Sequence, residues 1–429
     1  NQLIAVTSVT AQTFTDPNDI DPPGKFILYN GSTTITNICP KTARRPSNHA
    51  TLPDAIINDA FLRVLWDAGP LPDLGLADSS LFTVVPNAAN RVQALAPGEC
   101  TDPGSATGRG ACNPAPQPAA SNFDVAMRVT DAFWNLVSTI TTGSETLSMT
   151  SPDDPNDVEP GPQTISVSST SFTFNLTRAA TQQIEPFDIG GGVVLLDSSG
   201  LADAKTKEIA VVAGAADRII LIHEAQSLNQ GATSYQLARV GLPAGRAAGT
   251  AFNVKVYVTD SFFNVKAGFG VGDIIRVRAS SDTFGDNPGF TGTIGGSGYA
   301  DIVLTGLRKA ATGQLLTATY EGSGSLNAAR KTDPPTNPTG VLASTFTVSP
   351  GAMQGIQLLM PWETADFGRG IYPAGGKIVG STSTYIPYAP SLYAGVPFTA
   401  QTRVVDQYFN TVPTAVPNAY LVTSDKFDV

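Results

Sequence analysis

Residues 252–264 read FNVKVYVTDSFFN, and the pattern of these residues is the clearest indication of the fold. Every second residue of its first half is apolar: Phe252, Val254, Val256 and Val258. A period of two is typical of a β-strand that turns one face to a core. Asp260 and Asn264 follow, and side chains of these two types bond their own backbone in tight turns. The stretch therefore predicts a strand that runs directly into a turn.

The strand and turn belong to a pattern that recurs along the chain. Three landmarks carry it: the strand and turn at 123–135, 252–264 and 398–410, an apolar segment at 84–92, 211–219 and 348–356, and a basic residue followed by alanines at 178–181 and 309–312. The landmarks agree on a unit of about 130 residues. The apolar residues of the strand are predicted to lie in one core together with their counterparts in the preceding unit, Phe123, Val125 and Val129.

The composition fits short strands joined by many turns. The chain of 429 residues contains 41 Gly and 32 Pro, and only 14% of its residues are charged. Charged helix formers are scarce, which disfavours a helical or doubly wound enzyme. The formal net charge of -10 argues against a nucleic-acid partner, because phosphate binding requires a basic face. We expect no transmembrane segment, since no stretch approaches the roughly 20 apolar residues that a spanning helix needs.

Two stretches carry a family resemblance. Residues 248–268, AGTAFNVKVYVTDSFFNVKAG, and residues 211–221, VVAGAADRIIL, resemble the tandem immunoglobulin-like repeats of large bacterial surface and extracellular proteins. The resemblance covers roughly residues 80 to 429. It implies an all-β fold of tandem immunoglobulin-like antiparallel β-sandwiches. It also implies a role as a spacer, stalk or fibre subunit.

The sequence departs from the family pattern in two ways. Trp134, Phe263 and Phe409 stand where the family often has glycine, and long inserts occur at 96–121 and 364–394. The extra surface of the inserts suggests lateral contacts.

The landmarks divide the chain into four parts. The predicted parts are an N-terminal β segment at 1–80, a first repeat at 81–206, a second repeat at 207–344 and an incomplete third repeat at 345–429. The N-terminal segment ends in a sequence at 64–67 that resembles the close of the first repeat at 194–197, so we expect the second half of a sandwich there. Either this segment completes the third repeat of a neighbouring copy, or the chain is a piece of a longer protein.

The cysteines point to an oxidising compartment. Cys100 and Cys112 flank a segment of Thr, Pro, Gly, Ser and Ala that could not hold one conformation by itself, so we predict a disulfide between them, with Cys39 left over. Glycosylation sequons at Asn30 and Asn175 are compatible with a secreted chain. The predicted location is extracellular or at the cell surface.

Groups suited to catalysis are few. The two histidines, His49 and His223, fall in no catalytic motif, and His223 is expected to be an edge or loop histidine at the end of an apolar strand. The glycine clusters at 190–192 and 295–298 are followed by neither a Lys-Ser/Thr pair nor a helix pattern, so we interpret them as turns. We expect no enzymatic activity.

Two acidic runs could supply oxygen ligands for calcium. The first lies at 16–21, and the second places four such side chains close together: Asp153, Asp154, Asn156 and Asp157. Neither run has the spacing of an EF-hand. A calcium site at the second run and a solvated acidic loop remain the two alternatives, and no other cofactor is expected.

An acidic and an amide side chain recur at the same place in each repeat: Asp131 and Asn135, Asp260 and Asn264, Asp406 and Asn410. A residue that occurs once per repeat at the same turn is expected to build that turn rather than a catalytic centre. The neighbouring aromatic pairs are expected in the core or at repeat junctions, with sugar binding as the alternative.

The predicted function is a structural one. We expect a subunit of a surface fibre, sheath or surface layer that associates with itself into a homopolymer through β-sandwich contacts. The alternative is an adhesin or glycan-binding stalk, which would carry an aromatic pocket lined by Asp or Asn beside an insert instead of flat apolar patches.

Overall fold

The computed structural model describes most of the chain beyond residue 76. The described ranges are 77–137, 144–165, 168–280, 282, 289–334, 345–379, 392–393, 395–413 and 419–423, with 8–13, 26–27, 35–36, 38–42, 44–45, 56–57 and 62–66 in the N-terminal part. Asn30, His49 and the acidic run at 16–21 lie outside these ranges. The chain divides into two compact units, Asn1–Val212 and Ala213–Val429.

The described residues of the N-terminal part form six short strands. They are β1 (Ser8–Thr13), β2 (Phe26–Ile27), β3 (Arg44–Arg45), β4 (Ile56–Ile57), β5 (Leu62–Trp66) and β6 (Ala77–Asp78). Four of them form an antiparallel sheet in the order β2-β1-β5-β6, and β3 pairs with β4 in parallel.

Nine strands lie among the described residues of the first sandwich. They are β7 (Arg91–Leu95), β8 (Gln117–Pro118), β9 (Phe123–Thr130), β10 (Glu145–Thr150), β11 (Gln163–Ile165), β12 (Ser169–Phe174), β13 (Thr181–Gln182), β14 (Glu185–Gly191) and β15 (Ile209–Val212). One sheet has the order β12-β9-β7. The facing strands have the orders β11-β10-β14 and β13-β15-β8, with β8 and β15 parallel. A 3₁₀ turn at Ala202–Ala204 precedes β15.

The second sandwich repeats this order. Its strands are β16 (Arg218–His223), β17 (Ser227–Leu228), β18 (Arg239–Val240), β19 (Arg246–Ala247), β20 (Phe252–Thr259), β21 (Ile274–Ala279), β22 (Phe290–Thr293), β23 (Tyr299–Leu304), β24 (Ala311–Tyr320), β25 (Thr332–Asp333) and β26 (Thr345–Ser349). One sheet is β16-β20-β23, and the other is β19-β26-β24-β21-β22. The helical segments are α1 (Tyr235–Ala238) and a 3₁₀ turn at Ala328–Arg330.

The strand order is that of an immunoglobulin-like sandwich. In both sandwiches the first two long strands pair on one sheet, β7 with β9 and β16 with β20. The short strand between them in sequence, β8 or β19, pairs in parallel with the last strand of the other sheet, β15 or β26. The described part of the chain is almost entirely β, in small antiparallel sheets. The predicted all-β fold of immunoglobulin-like sandwiches is therefore confirmed.

Where the third part is described, it forms four strands: β27 (Met353–Leu359), β28 (Glu363–Ile371), β29 (Ala374–Val379) and β30 (Gln401–Asp406). β27 pairs with β30 as β16 pairs with β20 in the second sandwich. β28 and β29 form an antiparallel hairpin between them in sequence.

The strand residues predicted to be buried are buried, but in two cores instead of one. Val254, Val256 and Val258 lie in the core of the second sandwich, and none is more than 1% exposed. Their counterparts Val125 and Val129 lie in a separate core of the first sandwich. Each pair of sheets closes around its own strand residues, so each repeat has its own core.

Two predicted boundaries fall slightly early. The limits after 206 and 344 each separate a sandwich from its own last strand, because β15 pairs with β13 and β26 pairs with β24. The apolar segments at 211–212 and 348 resemble the start of a repeat, but they are the ends of last strands that continue straight into the next linker.

Truncation of Val256 to Ala tests the position of this core. The side chain is fully buried, so its loss leaves a cavity and should lower the free energy of unfolding by about 1 to 3 kcal/mol. Chemical denaturation followed by circular dichroism measures the change. Val303→Ala, on adjacent strand β23 and 55% exposed, is the matched control and should change stability by less than about 0.5 kcal/mol. Equal stability of the Val256 variant and the parent would contradict the assignment.

Candidate functional site

The recurring turn of the second sandwich is organised by one buried carboxylate. Asp260 Oδ1 accepts the amides of Phe262 and Asn264, both at 2.9 Å. Its Oδ2 accepts the amide of Gly214 in the preceding linker at 2.9 Å and the side-chain amide of Asn264 at the same distance. Asp260 is 1% exposed, so its carboxylate accepts hydrogen bonds from four protein donors instead of from water.

The same bonds occur in the other two repeats. Asp131 accepts the amides of Phe133 and Asn135 and that of Asn87 in the linker, at 2.8 to 3.0 Å. The third repeat has equivalent bonds at 2.7 to 2.9 Å, from Tyr408, Asn410 and Gly351 to Asp406. Each turn therefore fixes the linker that enters its own repeat.

The residue before each asparagine adopts a left-handed backbone. Trp134, Phe263 and Phe409 have φ values of 65°, 61° and 64°. Such a conformation costs an L-residue about 1 to 2 kcal/mol, which explains why glycine is the usual choice. All three aromatic side chains are buried, at most 3% exposed. Burial of a large ring offsets the backbone cost.

The insert that follows the first strand of each repeat contacts this turn through a glycine. Gly104, Gly231 and Gly368 donate their amides, at 2.7 to 2.9 Å, to the carbonyls of the residues before the left-handed aromatics, which are Phe133, Phe262 and Tyr408. The three glycines have φ values of 88°, 84° and 82°. The inserts share this contact although one is a disulfide-linked loop, one contains α1 and one is the β28–β29 hairpin.

In the first repeat the insert closes over Trp134. Its indole nitrogen donates to the carbonyl of Ala106 at 3.1 Å, and the Arg91 guanidinium lies 4.7 Å from the ring centre. Gly108 has a φ of 68°, and a Cβ at this position would overlap the ring. Gln93 on the strand below donates to the carbonyl of Gly108 at 3.3 Å.

In the third repeat the hairpin covers Phe409 in a similar way. A Cβ on Gly376 would overlap the Phe409 ring, and Gln357 donates to the Gly376 carbonyl at 2.7 Å. Tyr372 takes the place of the arginine, with its ring centre 5.9 Å from that of Phe409. Its ring fits because residue 355 is a glycine, whose missing side chain leaves the space.

In the second repeat the insert covers Phe263 with a tyrosine ring. Tyr235 of α1 meets Phe263 edge-on at 4.9 Å, and Arg218 lies 4.7 Å from the Phe263 ring centre. Arg239 anchors the insert through a buried ion pair with Asp333 at 2.5 Å. Strand β16 is consequently buried on both faces.

The turns also connect successive parts within each unit. Asn135 donates its side-chain amide to the carbonyl of Lys41, in the N-terminal part, at 2.7 Å. Asn410 donates to the carbonyl of Arg308 at 2.7 Å and accepts the amide of Ala310 at 2.8 Å. The carbonyls of Lys41 and Arg308 therefore occupy equivalent places.

The structure places Cys100 and Cys112 in a disulfide with a Cα–Cα distance of 5.4 Å, and Cys39 is free and exposed. The disulfide lies within the insert that covers Trp134. Beside it, Arg109 pairs with the buried Glu99 of the same loop at 2.6 Å. Arg109 also donates to the carbonyls of Ala94 at 2.8 Å and Asp203 at 3.2 Å, which ties the loop to the sandwich.

Two carboxylates of the second acidic run accept hydrogen bonds from other residues of the first sandwich. Asp154 is 2% exposed and accepts the amides of Thr177 and Arg178 at 2.6 and 2.8 Å. Asp157 accepts the Ser151 hydroxyl, and burial raises the pKa of its carboxyl to about 6. Asp153 is exposed and Asn156 is half-buried. Within the described ranges, no three His, Cys, Asp or Glu side chains are grouped to hold a metal ion. Calcium binding by this run stays a prediction.

His223 is buried, contrary to the expected edge or loop position. It ends β16 at 4% exposure, and its ring packs against those of Phe252 and Phe346, at 6.4 and 5.1 Å. Phe346 belongs to the last strand of the sandwich, so a long-range contact buries the histidine. Burial, with the charges of Arg239 and Arg246, lowers the pKa of His223 to about 4.

No protein-family model matches the sequence, and no curated protein matches it. Among solved structures, the chain is similar to the Escherichia coli adhesin FdeC, at 15% identity over 68% of this chain and 75% of that one, with a TM-score of 0.23. It is similar to domains 4–9 of the surface layer protein SbsC, at 11% identity over 84% and 42%, with a TM-score of 0.19.

A third similar structure is that of the FN1–FN3 domains of chicken CNTN1. Identity is 7% over 80% of this chain and 91% of that one, and the TM-score is 0.22.

Substitutions at Phe263 test the balance between backbone cost and ring burial. Phe263→Ala loses the ring and keeps the left-handed backbone of an L-residue, so it should lower the free energy of unfolding by about 3 to 5 kcal/mol. Phe263→Gly also loses the ring but removes the backbone cost, so it should be about 1 kcal/mol more stable than the alanine variant. Thermal and chemical denaturation give the order.

Phe262 provides the matched control, because it lies in the same turn without a left-handed backbone. There glycine should be less stable than alanine, by about 0.5 to 1 kcal/mol. An alanine variant at 263 as stable as the glycine variant would contradict the account.

The stability of the second sandwich should depend on pH through His223. The folded state lowers its pKa from 6.5 to about 4, so the unfolded chain binds a proton first as the pH falls. Between pH 7 and pH 4.5 the parent should therefore lose about 2 to 3 kcal/mol more than His223→Gln. Denaturant unfolding at several pH values measures this difference. His49→Gln, at the other histidine, should follow the parent, and equal slopes for His223→Gln and the parent would contradict the prediction.

Proposed function

We propose that the chain is part of an extracellular structural protein, a subunit of a surface fibre, sheath or surface layer. The observation that carries the proposal is the buried turn, which binds its own linker in all three repeats. Such bonds hold the entry of each repeat in one direction, as a structural protein requires. No catalysis is part of the proposal.

The links between successive parts support this role. Asn135 and Asn410 each bond a carbonyl of the preceding part, and both side chains are buried. Hydrogen bonds made away from water cost more to break than exposed ones, because a broken bond leaves a polar group unsatisfied. Links of this kind transmit force between sandwiches better than free linkers do.

An extracellular location is supported by the Cys100–Cys112 disulfide, since structural disulfides persist in oxidising compartments. Among the described residues, no helix has the length and apolar character needed to span a membrane.

Self-association is supported by an apolar face on the third part. Ile356, Leu358 and Phe398 are 51%, 37% and 49% exposed. The equivalent residues of the second sandwich are at most 4% exposed, because a second sheet covers them: Ile219, Leu221 and Phe252. The face of β27 and β30 therefore has the character of one half of a sandwich core.

The occupant we propose for this face is the N-terminal sheet of another copy. That sheet has the order β2-β1-β5-β6. In the same N-terminal part, the Lys41 carbonyl takes the place that the Arg308 carbonyl of the second sandwich takes. In this proposal the N-terminal part acts as the later half of a sandwich. Pairing between copies gives a heterologous contact that continues from copy to copy.

Light scattering after size exclusion tests the proposal over a range of concentrations. The parent chain should show mass that rises with concentration, and electron microscopy should show linear assemblies. The double variant Ile356→Asp, Leu358→Asp places charges on the face and should remain monomeric. Val158→Asp, at an 82% exposed residue elsewhere, is the matched control and should associate like the parent.

Two results would contradict the proposal. A parent chain that stays monomeric at every concentration excludes pairing between copies through this face. Association that the double variant and the control weaken equally would place the contact elsewhere.

A further inference from the structure

A groove crosses the outer face of the second sandwich beside its insert. The cavity has a volume of about 360 Å³, at the small end of the range for ligand sites. The insert forms one wall with Ser227, Leu228 and Gln230, and strand β20 forms the other with Asn253 and Tyr257. The groove is thus built where the insert stands over the sheet.

Two tyrosines form an aromatic platform at the groove. Tyr257 lines the groove, and Tyr299 lies opposite it on β23, with ring centres 5.2 Å apart. Both are only half-buried, whereas Tyr235 and Tyr320 of the same unit are buried. Tyrosine rings with one wet end are suited to contacts with a ligand that is partly apolar and partly hydroxylated.

Several neutral polar groups that line the groove have donors or acceptors without a hydrogen-bond partner among the described residues. Within the described residues, the Ser227 hydroxyl, the Asn253 side-chain amide and the Tyr257 hydroxyl have no hydrogen-bond partner. Gln230 accepts the amide of Val265 at 2.9 Å through its oxygen, and its NH₂ group makes no bond there. These groups offer both donors and acceptors.

The charged groups at the groove are paired with one another. Lys255 pairs with Asp301 at 3.6 Å, and Glu224 pairs with Arg246. The walls therefore present no net charge to a ligand. A charged ligand would have to compete with an existing ion pair, but a neutral one would not.

We propose that this groove binds a neutral saccharide, with the Tyr257 ring against a sugar face and the amide and hydroxyl groups on its hydroxyls. Sugar hydroxyls both donate and accept, as the free groups of the groove do. The volume fits one or two sugar rings. This site goes beyond the structural role and does not depend on it.

The first sandwich lacks the combination. The positions equivalent to Asn253, Lys255 and Tyr257 are Asp124, Ala126 and Arg128 in the first sandwich. Arg128 donates to Gln93 at 3.4 Å beneath the insert, where Tyr257 faces the groove. The described part of the first sandwich therefore has no equivalent of this site.

Saturation-transfer NMR on the full chain tests the proposal. The probes are the methyl glycosides of glucose, galactose, mannose and N-acetylglucosamine, with those of galacturonate and N-acetylneuraminate as charged comparisons. At least one neutral probe should receive saturation, and Tyr257→Ala should bind it about tenfold more weakly. Asn253→Ala, at an exposed residue, should also weaken binding and covers the case in which the tyrosine variant folds poorly.

Tyr393→Ala is the matched control, because it removes an 81% exposed tyrosine of the same unit and should leave binding unchanged. Transfer to none of the neutral probes would overturn the proposal. Unchanged transfer in both groove variants would also overturn it, as would a preference for the acidic probes. None of these results bears on self-association, which the mass measurements decide separately.

Discussion

The structure depends on a carboxylate that is buried and fully bonded. In each repeat an aspartate accepts two amides of its own turn, one amide of the linker and the side-chain amide of an asparagine. A buried carboxylate is stable only when such donors surround it. Meeting that requirement fixes the turn, the direction of the linker and the left-handed conformation of the residue before the asparagine. The aromatic side chain at that residue then needs a cover, which the insert provides.

The local parts of this arrangement could be predicted from the sequence. Asp260 and Asn264 are four residues apart, and the alternation from Phe252 to Val258 is visible by inspection, so both the strand and its turn follow from short-range chemistry. The departure from glycine at position 263 was also visible. The burial of the Phe263 ring could not be predicted, because the residue that covers it, Tyr235, comes from the insert.

Long-range contacts account for what the sequence did not reveal. Gly104, Gly231 and Gly368 make the same bond, but they lie in inserts with no common sequence, at different distances from their turns. Asp154 belongs to an acidic run, yet its donors are amides near Thr177, more than twenty residues away. The strands that bury a side chain decide its role, and composition and spacing do not contain that information.

The inserts give the repeats their differences. A common sandwich and turn hold a disulfide-linked loop, a helical segment or a hairpin in the same place, and a groove with tyrosines lies beside the helical one. A structural framework of this kind can therefore carry a binding surface on one repeat without any change to the turns that connect the parts.

Hydrogen exchange of the Asp406→Asn variant tests the central claim most directly. The substitution keeps the shape of the side chain but replaces an acceptor oxygen with a donor, which would face the amides of Gly351 and Asn410. The account predicts that peptides containing Gly351, Tyr408 and Ala310 lose protection together, while the strand at 252–259 keeps its protection. Unchanged protection at the linker and at Ala310 would contradict the claim that this carboxylate holds the repeats in place.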